Sequence, residues 1–202
     1  MTKTFAALMP SGDPVADITR FYQDMDLLDT LQHVTQVAAQ ARVLAEQHNL
    51  NLAAAHLAAL AHDLAAGVPK AEMPAVAEQM NIQVDDADRA IPGLLHGPIA
   101  AAILETKLDN HDEDLLNAIR YHSTLRAGAS PLEKVVFLAD KIAYDSTSPH
   151  HGEYLPALQA AASLDEASLV YLDFLLDNTW RYRWYPHPNA LAAYRELAKA
   201  TQ

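Results

Sequence analysis

The stretch LAAAHLAALAHDL, residues 52–64, decides the fold of this chain. It consists almost wholly of Ala and Leu, which favour helix, and Asn51 before it is a good N-cap. Because a helix that is apolar on all sides is usually buried, this stretch predicts a buried helix in a helical protein. Its C-terminal end carries the polar pair His62 and Asp63 just before a Gly and a Pro terminate it.

Helical periodicity recurs on both sides of this segment, and Gly is sparse. We predict a loose N-terminal arm over residues 1–12 and irregular structure over 81–93. No internal repeat or linker is visible, so the sequence predicts a single all-α domain, a helical bundle over residues 13–202. The further helices are expected at about 14–22, 30–48, 70–80, 98–107, 112–122, 131–142, 154–162, 165–179 and 189–200.

The composition excludes several classes of protein. The chain has 202 residues, half of them apolar, which suits one domain with a full core. Its formal net charge of −12 repels nucleic acid and anionic membrane surfaces. The absence of Cys excludes disulfides, thiolate metal sites and a Cys nucleophile. With no apolar run of about 20 residues and no signal peptide at the start, we expect a cytoplasmic protein that binds neither nucleic acid nor membrane.

Several His and Asp residues stand in or beside apolar helical stretches rather than in polar loops. Imidazole and carboxylate are costly to bury there unless they are paired or bound to metal. Taken singly, most of them would more often be structural than functional. Together, four His and two Asp match the ligand inventory of a site for two divalent transition metals. The six residues are His33, His62, Asp63, His96, His122 and Asp140.

The chain contains its own controls for this interpretation. His111 and Asp112 form a second His-Asp dipeptide, but their neighbours are polar, which suits a solvated helix start without a function. Five other His residues are expected at the surface. The C-terminal aromatic cluster of Trp180, Tyr182, Trp184 and Tyr185 could cover the core, form a dimer contact or line a cleft, and we favour core cover. The five surface His are His48, His56, His150, His151 and His187.

Five ordered pieces of the chain resemble the HD-domain metal-dependent phosphohydrolases, and within them the YqeK-like branch of symmetrical dinucleoside tetraphosphatases. The resemblance covers about residues 30–145, with C-terminal helices following over 154–200. The chain departs from the branch near the ligands, for example at Ala66, where the branch has Lys, and at Leu125, where it has Gly. The matching pieces are HVTQV (33–37), AHDLA (61–65), LHGP (95–98), AIRYHST (118–124) and LEKVVFLADKI (132–142).

The resemblance implies a role for each candidate residue. His33, His62, Asp63 and Asp140 would hold one metal, and His96 and His122 the second, with Asp63 bridging both. His62 and Asp63 would thus be catalytic as well as ligating. The metals would be two divalent ions, commonly iron in this family, with manganese or another transition metal as alternatives. The expected contacts to the substrate phosphates are Arg126, Lys141, Arg120 and Lys70.

The function implied is phosphohydrolysis of a nucleotide or dinucleoside polyphosphate. Two ions about 3.5–4 Å apart would share a water and lower its pKa toward about 7, and the hydroxide would attack phosphorus. Three alternatives stay open: a phosphatase for another nucleotide or phosphate ester, a metal-dependent nucleotide sensor without turnover, and a purely structural helical domain. The partner would be a small-molecule nucleotide or phosphate ester, and a homodimer is left open.

Overall fold

The computed structural model describes residues 5, 7–143, 150–182 and 185–200. The described residues form an all-α fold without strands, as the sequence predicts. Short 3-10 turns precede two of the helices, at Lys70–Glu72 and Pro92–Leu95. The helices are α1 Pro14–Asp24, α2 Leu28–Gln47, α3 Leu52–Ala61, α4 Met73–Gln79, α5 Asp86–Ala90, α6 His96–Leu108, α7 Glu113–Arg120, α8 Pro131–Ala143, α9 His151–Ala160, α10 Leu164–Asp177, α11 Thr179–Tyr182 and α12 Pro188–Ala200.

Helix α3 is the centre of the bundle. It packs against α1, α2, α6, α7 and α8. Ala55, Ala58 and Ala59 are fully buried on it, and their small side chains let neighbouring helices approach from several directions. The prediction of a buried helix over residues 52–64 is therefore confirmed over Leu52–Ala61, and the structure places that helix at the centre of the bundle.

Local capping explains where several helices begin. The Asn51 side chain accepts hydrogen bonds from the backbone N–H groups of Ala53 and Ala54 and so caps α3. At the start of α8, the Ser130 Oγ accepts from the N–H of Glu133, and a Glu133 carboxylate oxygen accepts from the N–H of Ser130. This reciprocal pair is a capping box at the start of α8.

The structure differs from the prediction at three places. Residues 81–93 are not wholly irregular, because Asp85 and Asp88 form a capping box that starts the short helix α5. Helix α6 begins at His96 instead of 98, because a 3-10 turn leads straight into it. Helix α3 ends at Ala61, so His62 and Asp63 lie in the turn that follows.

The expected N-terminal arm contributes to the core. Phe5 and Leu8 are 2% and 1% exposed and pack in the main hydrophobic cluster. Residues 1–4 and 6 of that arm lie outside the described residues. Among the described helices none has the length and hydropathy to cross a bilayer. The cytoplasmic location and the homodimer stay predictions.

A candidate metal centre and its cleft

Five separate elements bring the six predicted ligands together. His33 comes from α2 and Asp140 from α8, whereas His62 and Asp63 follow directly after α3. His96 is the first residue of α6, and His122 lies in the turn after α7. His33 and Asp140 therefore lie within their helices, whereas the other four ligands lie at helix ends, and the packed helices fix the backbone from which all six side chains converge.

One half of the cluster joins His33, His62, Asp63 and Asp140. The Nε2 atom of His33 lies 3.2 Å from Oδ1 of Asp140 and 3.9 Å from Oδ2 of Asp63. The Nε2 atom of His62 lies 3.5 Å from the same Asp63 oxygen and 3.9 Å from the same Asp140 oxygen. These four side chains therefore enclose one position suited to a cation.

The other half joins Asp63, His96 and His122. The Oδ1 atom of Asp63 lies 3.3 Å from Nε2 of His96, which in turn lies 2.8 Å from Nε2 of His122. The ligand atoms of this triad all lie within 4.8 Å of one another, as do those of His33, His62 and Asp63. Asp63 thus turns one carboxylate oxygen to each half, which is the arrangement of a bridging ligand.

Backbone carbonyls fix the tautomer of three of the four imidazoles. The Nδ1 atoms of His62, His96 and His122 lie 2.6, 2.6 and 2.8 Å from carbonyl oxygens three residues earlier in the chain. A carbonyl oxygen can only accept, so each Nδ1 carries the proton and each Nε2 keeps a lone pair for a metal. The close approach of His96 and His122 places two such lone pairs face to face. A divalent cation between them would satisfy both, so the residues present fit a metal.

Burial divides the cluster into a floor and a rim. The side chains of His62 and His122 are each 1% exposed or less at the floor. The side chains of His33, His96 and Asp63 are 27%, 19% and 19% exposed at the rim. A substrate can therefore approach the cluster past the partly exposed side chains at the rim. The buried imidazoles at the floor are shielded from water by the surrounding protein.

The electrostatics of the cluster follow from this burial. Burial lowers the pKa of His122 well below its ordinary value, and the neighbouring imidazoles of His62 and His96 lower it further. Burial alone would raise the pKa of Asp140, but the Lys141 ammonium and the His33 hydrogen bond outweigh it and hold this pKa well below its usual range. His122 is thus neutral and Asp140 ionised, which are the protonation states that a metal requires.

Two of the four expected phosphate contacts are paired with buried carboxylates of the protein. The Lys141 Nζ lies 2.7 Å from Oδ2 of Asp140, the oxygen that faces away from His33. Arg126 donates from Nε and Nη2 to the two oxygens of the buried Glu133, at 2.7 and 2.8 Å. Its guanidinium carbon also lies 5.0 Å from the centre of the Tyr121 ring. Both cations therefore serve carboxylates of the protein, and their phosphate contacts stay predictions.

The other two expected phosphate contacts lie differently. Arg120 bonds the Asn117 side chain and lines a polar cavity of about 600 Å³ together with Ser123 and Thr124. Lys70 is exposed, and its stem packs beside Gly93, where an added Cβ would lie 3.4 Å from the Lys70 Cδ. Arg120 therefore borders this polar cavity, whereas Lys70 lies on the outer surface close to the turn that leads to His96.

Sequence reasoning missed Ser123 and His187. The Ser123 Oγ lies 3.0 Å from Nε2 of His122 and 3.4 Å from Nε2 of His96, so its hydroxyl borders the metal position. The expectation of an exposed His187 is wrong, because this residue is 8% exposed. His151 is also 8% exposed, contrary to expectation. Adjacency to His122 could have indicated Ser123, but nothing near His187 in the sequence indicates what packs over it.

His187 stands beside two carboxylates without being a convincing metal ligand. Its Nε2 lies 3.4 Å from Oδ1 of Asp88, and the two residues group with Asp85. Its Nδ1, however, accepts from the backbone N–H of Asn189 at 3.2 Å. The neutral ring must therefore carry its proton on Nε2, which then has no lone pair to offer. We assign no metal to this group.

The turn that carries His122 is strained at Leu125. Its φ of 58° lies in the left-handed region, where a side chain costs about 1–2 kcal/mol. This is the position at which the resembling branch has Gly, and the structure shows why Gly suits it. Leu125 is only 1% exposed, so burial of its side chain offsets the backbone strain.

The fold and the site together define an all-α protein with a cluster of His and Asp side chains that could hold divalent metals. The model of the HD domain family matches residues 30–145. Three curated relatives are named "Bis(5'-nucleosyl)-tetraphosphatase, symmetrical", and two of them illustrate the similarity. The one from Halalkalibacterium halodurans is 32% identical over 168 residues, 82% of this chain and 87% of the relative. The one from Bacillus subtilis is 36% identical over 110 residues, 54% of this chain and 59% of the relative.

A solved structure with a similar fold is also named as an HD hydrolase. A crystal structure from Clostridium acetobutylicum, named "predicted HD superfamily hydrolase involved in NAD metabolism", superposes with a TM-score of 0.84 at 26% identity. The superposition covers 95% of this chain and 99% of that one. This chain therefore belongs to the HD domain family and is a metal-dependent hydrolase of that family.

Proposed function

We propose that this enzyme hydrolyses the central phosphoanhydride of a symmetrical dinucleoside tetraphosphate, with iron as the resident metal and manganese as an alternative. The observation that carries the proposal is the Asp63 carboxylate, whose Oδ2 faces His33 and His62 while its Oδ1 faces His96. One carboxylate shared between two ligand groups is the geometry that two-metal phosphohydrolysis needs. The printed names of the relatives from H. halodurans and B. subtilis support the substrate.

The charges at the site favour a polyphosphate despite the acidic chain. When bound, two divalent ions supply a water of lowered pKa and offset the charge on the phosphoryl oxygens. The ligand set itself brings only two negative charges, those of Asp63 and Asp140, against the positive charges that it would hold. Lys141 adds a further cation 2.7 Å from Asp140. The centre can therefore attract an anion that the net charge of −12 would otherwise repel.

The protein's own groups then orient the reaction. The three Nδ1–H bonds to backbone carbonyls hold the imidazoles of His62, His96 and His122 in one orientation, so their Nε2 atoms cannot turn away. The open rim admits the phosphate chain. Water adds to one of the two central phosphorus atoms, the bond from that atom to the central bridging oxygen breaks, and that oxygen leaves on the other half and takes up a proton. Two nucleoside diphosphates result.

A substrate panel tests this proposal. The purified protein is loaded with iron, manganese or cobalt and given symmetrical dinucleoside tetraphosphate, shorter and longer dinucleoside polyphosphates, nucleotides, cyclic nucleotides and a simple phosphate ester. We expect the tetraphosphate to give nucleoside diphosphate alone on ion-exchange chromatography. A nucleoside triphosphate with a monophosphate would contradict symmetrical cleavage. If one compound of the panel binds tightly and none is turned over, the proposed reaction is wrong and a nucleotide sensor is the better interpretation.

A pair of variants shows whether the assigned centre performs the reaction. Asp63→Ala removes the carboxylate between the two halves, and we expect loss of metal retention and of turnover with unchanged helix content. His111→Ala is the matched control, because His111 belongs to the other His-Asp dipeptide and its side chain is 67% exposed. Wild-type turnover in Asp63→Ala, or a large loss in His111→Ala, would show that the wrong dipeptide was chosen.

A further inference from the structure

A second cavity, of about 530 Å³, adjoins the metal centre and differs in character from the polar one. This aromatic cavity is the space lined by Ile91, Leu94, Tyr171, Leu175 and Tyr185, with Ser123, Thr124, Lys141, His187, Ala90 and Ala190 completing its walls. Its volume lies within the range of about 300–1,000 Å³ that is typical of ligand pockets.

The aromatic cavity is adjacent to the metal centre, because two residues contact both. Ser123, whose hydroxyl lies 3.0 Å from His122 Nε2, forms part of its wall. Lys141, which bonds Asp140, forms another part. A ligand whose phosphates occupy the centre can therefore reach past Ser123 and Lys141 into this cavity.

The walls suit a flat aromatic ring. Tyr171 is held by ring contacts to Phe137 and Tyr154, at centroid distances of 5.5 and 5.0 Å, so one wall is rigid. The Tyr185 side chain is 56% exposed at the cavity, an arrangement that leaves its ring accessible to a ligand. Lys141 Nζ lies 5.4 Å from the Tyr171 ring centre, so a cation stands where the ring wall meets the metal centre.

We propose that the aromatic cavity binds the nucleoside of one half of the substrate, with Tyr185 as the stacking residue. The inference rests on the proposed function, since it places one end of a nucleotide whose phosphates lie at the metals. The polar cavity shares Leu94, Ser123, Thr124 and His187 with the aromatic one, but Asp85, Asp88 and Glu105 also line it. The two halves of a symmetrical substrate therefore meet unlike surroundings. Because only the aromatic cavity suits the nucleoside, we expect each chain to bind one nucleoside diphosphate tightly.

The proposal assigns specificity to a part of the chain outside the matched HD domain. Tyr171, Leu175, Tyr185 and Ala190 all follow residue 145, where that match ends. The expectation that the C-terminal aromatic residues cover the core does not hold for the exposed Tyr185. Trp184 and the side chains of Trp180 and Tyr182 lie outside the described residues.

The test compares the binding of ADP and inorganic pyrophosphate to the manganese-loaded protein by titration calorimetry. The wild type should bind one ADP per chain more tightly than pyrophosphate. Tyr185→Ala should weaken ADP binding about tenfold, as expected for loss of one stacking contact, and leave pyrophosphate binding unchanged. Tyr185→Phe keeps the ring and should bind ADP like the wild type.

A second variant fills the cavity instead of removing a wall. Ala90 is exposed at the end of α5, so Ala90→Trp places an indole at the cavity without disturbing the core. It should weaken ADP binding by at least tenfold and spare pyrophosphate. The control is Ala192→Trp, at an exposed position of α12 outside the lining of either cavity, and it should behave as wild type.

The outcomes separate this inference from the proposed function. Equal changes in ADP and pyrophosphate binding, no change in either, or two equivalent ADP sites per chain would overturn the nucleoside subsite. Failure of the wild type to cleave the dinucleoside tetraphosphate, with ADP binding still sensitive to Tyr185→Ala, would overturn the proposed reaction alone.

Discussion

Replacing Gly97 with Ala is expected to destabilise the fold and one half of the metal centre together. Gly97 is the second residue of α6, directly after His96, and it packs against the end of α7. An added Cβ would lie 2.9 Å from the carbonyl oxygen of Arg120, 3.1 Å from that of Ile119 and 3.3 Å from Cε1 of His122. The Ile119 oxygen is the one that accepts the Nδ1–H of His122. The new methyl group therefore pushes on the acceptor that orients a proposed ligand.

The size of the effect follows from these distances. Ordinary carbon contacts need about 3.5 Å or more, so backbone atoms must move by roughly half an ångström. Overpacking of this kind costs about 1–3 kcal/mol, and replacing a helical Gly returns at most about 1 kcal/mol. We expect a net loss of about 1–2 kcal/mol, a fall of roughly 2–8 °C in Tm for a chain of this length. Displacing the partner of His122 should weaken one metal site about tenfold.

The assay is calorimetric manganese titration together with thermal unfolding. We expect the site of His96 and His122 to weaken while the site of His33 and His62 is retained. The control is Gly152→Ala, because an added Cβ at Gly152 meets no atom within 4 Å, and this variant should be as stable as the wild type or slightly more so. Wild-type stability and two unchanged metal affinities in Gly97→Ala would refute the steric argument.

Three further variants test the charges around the centre. Lys141→Met leaves the Asp140 carboxylate buried without its cation, so the free energy of unfolding of the metal-free protein in urea should fall by about 3 kcal/mol. Saturating manganese should remove most of that difference, because the metal replaces the missing cation. An equal loss with and without manganese would contradict this. Arg126→Ala leaves the 1% exposed Glu133 side chain without its bidentate partner and should cost about 1–3 kcal/mol while metal affinity is kept; unchanged stability would show that the pair is not structural. His122 has a folded pKa far below that of the unfolded chain, about 6.5, so the metal-free protein loses stability as pH falls below that value, by up to about 1.4 kcal/mol per pH unit. His122→Asn should reduce this slope between pH 7.5 and 5.5, and an unchanged slope would contradict the assignment.

Two of the candidate ligands could be singled out from the sequence because a polar residue has no local reason to stand at their positions, whereas the other candidates each have an ordinary structural explanation. Asp140 follows a buried run of apolar residues in α8, and His62 ends a helix of Ala and Leu. Such positions conflict with helix amphipathicity, and the conflict itself indicates a site. The predicted boundaries of the helices were less accurate than the predicted helices themselves. For example, a 3-10 turn at Pro92–Leu95 continues into α6 without a polar residue that would mark the start of the helix.

Other features depended on packing that no local pattern encodes. The pairing of Arg126 with Glu133 could not be predicted. Arg126 lies in the loop before α8, and the sequence there does not distinguish an Arg paired with a buried carboxylate from an unpaired Arg at the surface. The burial of His187 and Phe5 likewise depends on distant parts of the chain. The aromatic cavity forms where residues 90–94, α10 and the residues before α12 lie beside Ser123, and these segments are far apart in the sequence. Sequence periodicity predicts which face of a helix is buried, but not which loop covers a cleft.

The central claim is that these helices hold two metal ions with Asp63 between them. Anomalous scattering at the iron edge from crystals of the iron-loaded protein tests it most directly. The account predicts two peaks about 3.5–4 Å apart, one among His33, His62 and Asp140 and the other between His96 and His122, each beside a different oxygen of Asp63. A single peak, or peaks away from these side chains, would contradict it.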